Sequence, residues 1–454
     1  MSSATNSPAP RSRFDTFLCV ASTLVRSHQH LSGLEWVLAL FLLREGNMVT
    51  VTTCKNGVRI VSEQINHVRS LSVGVWVNAG SRYELPEENG ITHFIEHMLF
   101  KGTKTRSARQ IAEEFDRIGG EINAFTSKEN TCYYAKVLDH HGELAIEILA
   151  DMFFNSAFLP EEIERERGVV LEEIYMSEDA PDDDVHEILW GVMYPDDALG
   201  RPILGTAQTL ATFDAEMIRR YMAKHYTPQN VVISLAGNIE AGLLEKVEQL
   251  FGSFEASPLA EEAVLTYPKF HAGEIVKIRD TEQAHIAISF PAINVKDPNM
   301  YSFIALNNII GGNMSSRLFQ EVREERGLAY SVFSYQSCYA DVGAFTIYAS
   351  TSKQNLDTLQ HQIDKTLFEL VTGGVTEEEL ENAKEQLKGS FVLGLEGTES
   401  HMNRNGVNEL VHQGVHRSVD EILQRIDAIS MESIDVLIEQ ILKAEPAIAI
   451  IGPK

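Results

Sequence analysis

Five consecutive residues, His93-Phe94-Ile95-Glu96-His97, bring together the side chains that metal-assisted hydrolysis requires. His93 and His97 are four apart, so on a helix both imidazoles leave one face about one turn apart. At that separation both rings can bind one zinc ion at ordinary Zn–N distances of about 2.0–2.1 Å. Glu96, three residues after His93, lies on nearly the same face and can reach a water beside the metal without being a ligand itself. Zinc lowers the pKa of such a water, and a carboxylate placed like Glu96 takes its proton as it attacks a scissile carbonyl.

A catalytic zinc also needs a third protein ligand and an open coordination position. The best donors lie in the run Glu164-Arg165-Glu166-Arg167-Gly168-Val169-Val170-Leu171-Glu172-Glu173-Ile174. Glu166 and Glu173 are seven apart and share one helix face. Glu173 can close the coordination shell, with Glu166 behind it as a supporting or proton-handling group. Glu172 sits about 100° around the helix from Glu173, so only one of the two can face the histidines. Residue types alone leave that choice open.

The elements that must position these groups can be read along the chain. Val49 to Thr53 and Val58 to Glu63 read as strands around an Asn56-Gly57 turn. Ser70 to Ala79 is a buried-strand run, and Gly90 to Gly102 has helical periodicity through His93, Phe94, His97, Met98 and Leu99. Helices follow over Ala108 to Ile118, Gly142 to Phe154, Pro160 to Met176 and Ala215 to His225, with strands over Asn130 to Leu138 and Val231 to Ala236. Residues 252–268 carry Gly, Ser, Pro and acids without a period and read as a linker. The layout then restarts. Ala284 to Phe290 matches the Ser70 strand, and Tyr301 to Ile310 takes the place of the His93 helix, ending at Gly311-Gly312. Later helices are expected over Leu356 to Leu370, Thr376 to Leu393 and Val419 to Ala428, with a last strand over Ala447 to Ile451. The expected fold class is therefore α+β, built from two copies of one unit of about 200 residues, with the His/Glu constellation in the first copy only. The expected division is 1–47 as a leader or extension, 48–252 as the metal-binding domain, 253–268 as linker and 269–454 as a second domain.

The chain has 454 residues, 44% hydrophobic and 23% charged, with a formal net charge of −27. The length calls for more than one core. The charge excludes nucleic acid and anionic membrane as natural partners and favours basic peptides, although solubility alone also accounts for it. Cys19, Cys54, Cys132 and Cys338 are scattered with no C-x-x-C pair, which argues against a disulfide framework or thiolate zinc site and suits a reducing compartment. In the first 47 residues the apolar run Trp36 to Leu43 is shorter than the roughly 20 residues that span a bilayer. It is followed by Arg44-Glu45 rather than by a small-residue cleavage site. Recurring arginines with few acids suit a mitochondrial-type leader. Arg44-Glu45-Gly46 can also be encoded by a purine-rich run resembling a bacterial ribosome-binding site, which makes Met48 the expected start and the bacterial cytoplasm the expected location, with the mitochondrial matrix second.

Together these motifs resemble the insulinase/pitrilysin family, within it the short two-domain branch that holds bacterial processing proteases and the mitochondrial processing peptidase β-subunit. The resemblance runs from Met48 to the end. It implies a pair of homologous α/β-sandwich units of LuxS/metallohydrolase-like fold, each a mostly antiparallel sheet with helices packed on it. It implies a zinc metalloendopeptidase holding one Zn2+ per chain, with a non-catalytic or partner-dependent subunit of the same fold as the alternative. The family's third ligand lies 76 residues after the last His of H-x-x-E-H, which selects Glu173, and its supporting glutamate corresponds to Glu166. Gly120-Glu121-Ile122-Asn123-Ala124-Phe125-Thr126-Ser127-Lys128-Glu129 matches the family's edge strand, where a substrate peptide adds as a further strand; Asn123 and Ala124 are the implied contacts. Val322-Arg323-Glu324-Glu325-Arg326-Gly327-Leu328-Ala329-Tyr330, read alone, is a charged helix end with a core tyrosine. The family places there an Arg and a Tyr, here Arg323 and Tyr330, that bind substrate backbone and stabilise the oxyanion. In a chain this short a second subunit must bring those residues to the zinc, so the resemblance implies a dimer, homomeric or heteromeric. The loop Gly311 to Leu318 is of the bacterial type and lacks the long glycine-rich loop of the mitochondrial α-subunit. Asp197-Ala198 departs from the family's frequent His-Pro at a place remote from the zinc residues.

Overall fold

The computed structural model describes residues 49–260 and 267–453. The leader reading of 1–47 and part of the expected linker, 261–266, lie outside the described residues. The first half contains strands β1 (Val49–Thr53), β2 (Arg59–Gln64) and β3 (Ser70–Val77), then helices α1 (Ile91–Leu99) and α2 (Ala108–Ile118). Strands β4 (Glu121–Thr126) and β5 (Thr131–Leu138) form a hairpin. Helices α3 (Gly142–Asn155), α4 (Pro160–Asp179), α5 (Pro181–Met193) and α6 (Ala215–His225) precede β6 (Val231–Gly237) and α7 (Leu243–Phe251). The second half contains β7 (Gly273–Ile278), β8 (Ala284–Ala292), α8 (Met300–Ile310), β9 (Ser331–Cys338) and β10 (Gly343–Thr351). It ends with α9 (Leu356–Gly373), α10 (Glu377–Gly394), α11 (Thr398–Leu410), α12 (Val419–Asp427), α13 (Met431–Leu442) and β11 (Ala447–Gly452).

The strand orders are β1-β2-β6-β3-β5-β4 and β7-β11-β8-β10-β9. With β1 set aside, each sheet places its first strand beside its last, then its second, fourth and third. In each, the first–last pair is parallel and the remaining pairs are antiparallel. This shared topology bears out the internal duplication and the α+β class. The first helix after the second strand, α1 in one half and α8 in the other, occupies the same topological place, as the sequence pattern predicts.

Alternation along the strands gives each sheet two covered faces. Leu71, Val73, Val75 and Val77 of β3 point into the main core of the first half, shared with α1, α3 and α4. Trp76 points the other way, into a smaller core with Val61, Cys132, Val232, Ala236 and Met402. Met402 belongs to α11, so a helix of the second half covers the outer face of the first sheet. The approach is close: a Cβ on Gly406 would stand 2.4 Å from Trp76 Nε1, and one on Gly74 2.5 Å from Met402 Sδ. In the other direction α5 of the first half packs on β11 and β8 through Val185, Leu189, Trp190 and Met193. The two halves thus exchange one helix each across the 253–268 segment, which a division read along the chain does not convey.

The loops that join the halves near the metal residues are pinned by charge. Arg82, in the loop after β3, is 4% exposed. Its guanidinium meets Glu129 Oε1 of the β4–β5 turn and Asp341 Oδ2 of the β9–β10 turn, each at 2.6 Å. Glu129 also accepts the Ala340 N–H at 3.1 Å.

Candidate metal centre

Helix α1 starts where Gly90 adopts φ 92°, a left-handed conformation that glycine tolerates. A Cβ at Gly90 would also meet Leu204 O and Gly205 Cα at 2.7 Å. The buried carboxylate of Glu84 accepts the Gly90 and Thr92 N–H groups at 2.8 and 2.9 Å, satisfying donors the helix start leaves unpaired. Ile91, Phe94, Ile95, Met98 and Leu99 face the core, which leaves His93, Glu96 and His97 on the partly open side. Helix α4 lies against α1, burying Ile163, Glu166, Val170 and Ile174.

Among the described residues, His93, His97 and Glu173 are the one group of His, Cys, Asp or Glu side chains close enough to share a metal ion. The two Nε2 atoms are 3.2 Å apart, and Glu173 Oε2 is 3.7 Å from His93 Nε2 and 3.5 Å from His97 Nε2. Tetrahedral zinc with ligands at about 2.0–2.1 Å spaces its donor atoms by roughly 3.3 Å, so the three donors fit one zinc ion. Glu172 is exposed and turned away, so the geometry and the family spacing choose the same glutamate.

Glu166 is 2% exposed and stands behind His97 rather than behind Glu173. Its Oε1 is 2.8 Å from His97 Nδ1, and its Oε2 meets Lys101 Nζ at 2.6 Å. A proton held on Nδ1 by that carboxylate leaves Nε2 free to bind metal. Burial, then the nearby His97, pushes the His93 pKa down to about 3, so this ring is neutral, the ligand form. Burial opposes charge on His97, but Glu166, Glu173 and Glu96 outweigh it and hold its pKa above the usual value. Replacing Glu166 by Ala is expected to weaken zinc affinity about 10- to 100-fold, measured by competition with a metallochromic chelator; an unchanged affinity would remove Glu166 from the site.

Glu96 is not one of the three clustered donors. Its Oε2 accepts a 2.5 Å hydrogen bond from Thr126 Oγ1. Burial raises its pKa, with the Thr126 bond acting the other way. Thr126 ends β4, an edge strand of the first sheet among the described residues. Asn123 is exposed on that edge, and its Oδ1 accepts the Ala124 N–H at 2.9 Å. A peptide pairing with that N–H would have to displace the Asn123 side chain. Sequence reasoning missed Thr126, although 122, 124 and 126 alternate onto one face. It also missed Lys101, which extends the His93–His97 stripe by another four residues.

Arg323 and Tyr330 come together elsewhere. The Arg323 guanidinium lies between two rings, 4.3 Å from the Tyr330 centroid and 4.7 Å from that of Phe319. Tyr330 is 78% exposed, so the reading as a core tyrosine is wrong: Gly327 at φ 57° turns the chain outward ahead of it. No hydrogen bond, ion pair or ring contact joins Arg323 or Tyr330 to the metal residues among the described residues.

The fold and site define a two-domain metallopeptidase with its metal residues in the first domain. The chain matches the insulinase family (peptidase family M16) over residues 59–207 and the peptidase M16 inactive domain over residues 212–387. An uncharacterized zinc protease of Bacillus subtilis, YmxG, is 52% identical over 406 residues, covering 89% of this chain and 98% of its own. One from Streptomyces coelicolor is 43% identical over 412 residues, covering 88% and 89%. A crystal structure of a protease from Helicobacter pylori superposes with a TM-score of 0.84 at 22% identity, covering 90% of this chain and all of that one. The chain belongs to the insulinase family of zinc proteases, in its short two-domain branch.

Proposed function

We propose that this protein is a zinc-dependent endopeptidase that cleaves extended peptides inside a chamber closed by two subunits. The observation that carries this reading is the Thr126–Glu96 hydrogen bond, which ties the base to the strand edge where a peptide would pair. His93, His97 and Glu173 would hold a zinc ion, which would supply the Lewis acidity to acidify water and polarise a carbonyl. Edge strand β4 binds peptide main chain without reading much sequence, Asn123 and Ala124 lying at the contact. Glu96 takes the proton from the attacking water and passes it to the leaving amine. Arg323 and Tyr330 hold substrate backbone and developing negative charge. Because those two residues make no contact with the metal group of their own chain, we assign them to the zinc site of a partner, a second copy or a related chain. The net charge of −27 favours basic peptides as substrates.

Mixing inactive Glu96→Gln subunits with inactive Tyr330→Phe subunits tests the assignment. Restored cleavage in verified heterodimers is expected, because one of the two sites is then intact; none would refute action in trans. A partner-dependent subunit, inert alone, is the second reading, favoured by the same separation of Tyr330 from the zinc residues. It predicts stoichiometric zinc without turnover until another chain is added. The free cysteines Cys54, Cys132 and Cys338 support a reducing compartment, which we take to be the cytoplasm. No helix among the described residues is long and apolar enough to cross a membrane.

A further inference from the structure

A second feature stands apart from the metal centre. The loop before α8, the first turns of α8, the end of α11, the α11–α12 connection and α12 enclose a half-open cleft of about 630 Å³, a size typical of small-molecule sites. Lys296, Arg404, Arg417 and Arg425 line it, with His412 among them. In a chain with 65 acids and 38 Lys and Arg, random placement would surround such a group with carboxylates. Among the described residues, none of these four cations has a carboxylate within the 4.0 Å ion-pair distance. The acid on the cleft wall, Asp297, is engaged in its own turn, accepting the Asn299 N–H at 2.8 Å. Glu63, the carboxylate that acts on Arg404 from beyond that distance, is held by His401 and Asn405.

Three further observations point the same way. Arg404 is fixed rather than waving in solvent: it stacks over Phe391 at 5.4 Å and donates to the Arg417 carbonyl. The start of α8 lines the cleft, and its N-cap, Asn299, makes no side-chain capping bond, so the positive end of the helix adds to the field there. His412 has its pKa lowered by burial and then by Arg417 and Lys296, so it feels a positive field without compensation. Asn408 and Gln413 also line the cleft, and Tyr301, Ile304 and Val411 give it an apolar stretch of wall.

We propose that this cleft binds a small organic anion carrying two or more phosphate or carboxylate groups, clasped by Lys296, Arg404, Arg417 and Arg425, with its carbon skeleton against Tyr301, Ile304 and Val411. The concave shape and mixed lining favour a small molecule over a flat protein contact. Planar guanidinium forks suit either oxyanion, and four cations demand more than one negative charge.

Calorimetric titration of the zinc-loaded full chain tests this with fructose 1,6-bisphosphate, tricarballylate and inorganic phosphate. The bisphosphate or the tricarboxylate should bind with Kd below about 1 mM, more tightly than phosphate, and affinity should fall as salt rises. Which of the two binds tells phosphate from carboxylate chemistry. Lys296→Ala/Arg425→Ala, two exposed positions, should weaken binding at least about tenfold while leaving the melting temperature and zinc content unchanged; Arg417→Ala serves as a second variant. Binding that is absent, or equal in wild type and variants, would overturn the proposal. So would binding of a tetraglutamate peptide alone, which would make the cleft a protein-docking surface instead.

Discussion

Glu96→Gln is expected to lower kcat for a fluorogenic peptide by about 10³-fold while the protein keeps one zinc per chain. Glutamine matches the shape of glutamate and can still accept the Thr126 hydroxyl hydrogen bond of 2.5 Å. It cannot take a proton. The donors His93, His97 and Glu173 are untouched, and Glu166 still backs His97 at 2.8 Å. The loss should therefore fall on kcat with KM little changed, because strand pairing along β4 does not involve the carboxylate. Metal content by atomic absorption and single-turnover cleavage decide the matter. Activity within tenfold of wild type would assign the base elsewhere, and loss of zinc would make Glu96 a ligand.

Arg82→Ala is expected to be the most destabilising single substitution near the site, by about 3–5 kcal/mol. Removing the guanidinium leaves Glu129 and Asp341 facing each other in a desolvated space, where both met Arg82 at 2.6 Å. Lysine should not rescue, since one ammonium cannot replace a fork that serves two carboxylates from different nitrogens. Arg82→Met combined with Glu129→Gln and Asp341→Asn should recover much of the loss, because no uncompensated charge remains. The melting temperature ranks the variants. Hydrogen exchange at 127–130 and 339–342 shows whether the two hairpin turns come apart. A single Ala variant within about 1 kcal/mol of wild type would mean that water reaches the triad and screens it.

Much of the first half was legible because its elements follow ordinary periods. The α1 pattern is apolar at 91, 94, 95, 98 and 99, and the structure buries those positions. Glu173 was selected by its distance from His97 along the chain, and it proved to be the glutamate that closes the donor triangle. Helix α11 was not legible. Its sequence, TESHMNRNGVNEL, has no apolar stripe, yet Thr398, Met402, Asn405, Gly406 and Glu409 are buried. It matches a sheet face of mixed polarity instead: Met402 packs beside Trp76, Thr398 meets Ser72, Ser234 donates to the Met402 carbonyl, and Asn405 donates to Glu63. Those partners lie far along the chain, so no local window contains both sides. Strand β7 was missed for a related reason. It is a sheet edge with Ile275, Val276 and Ile278 half exposed, which blurs the alternation a strand assignment needs. The ring-stacked Arg323 and the exposed Tyr330 carry no local signal at all, and only the family motif drew attention to them.

The exchanged helices set a timetable for biosynthesis. When β6 leaves the ribosome the first sheet has all its strands, but the face bearing Trp76 has no cover until α11 follows on the order of 170 residues later. At about 5–20 residues per second this is roughly ten to thirty seconds. For that interval a nascent chain displays Val61, Trp76 and Val232 to solvent, an apolar surface that a holdase would bind. Contacts that span 326 and 342 residues must form last, which predicts slow refolding from denaturant and a strong tendency to aggregate on the way.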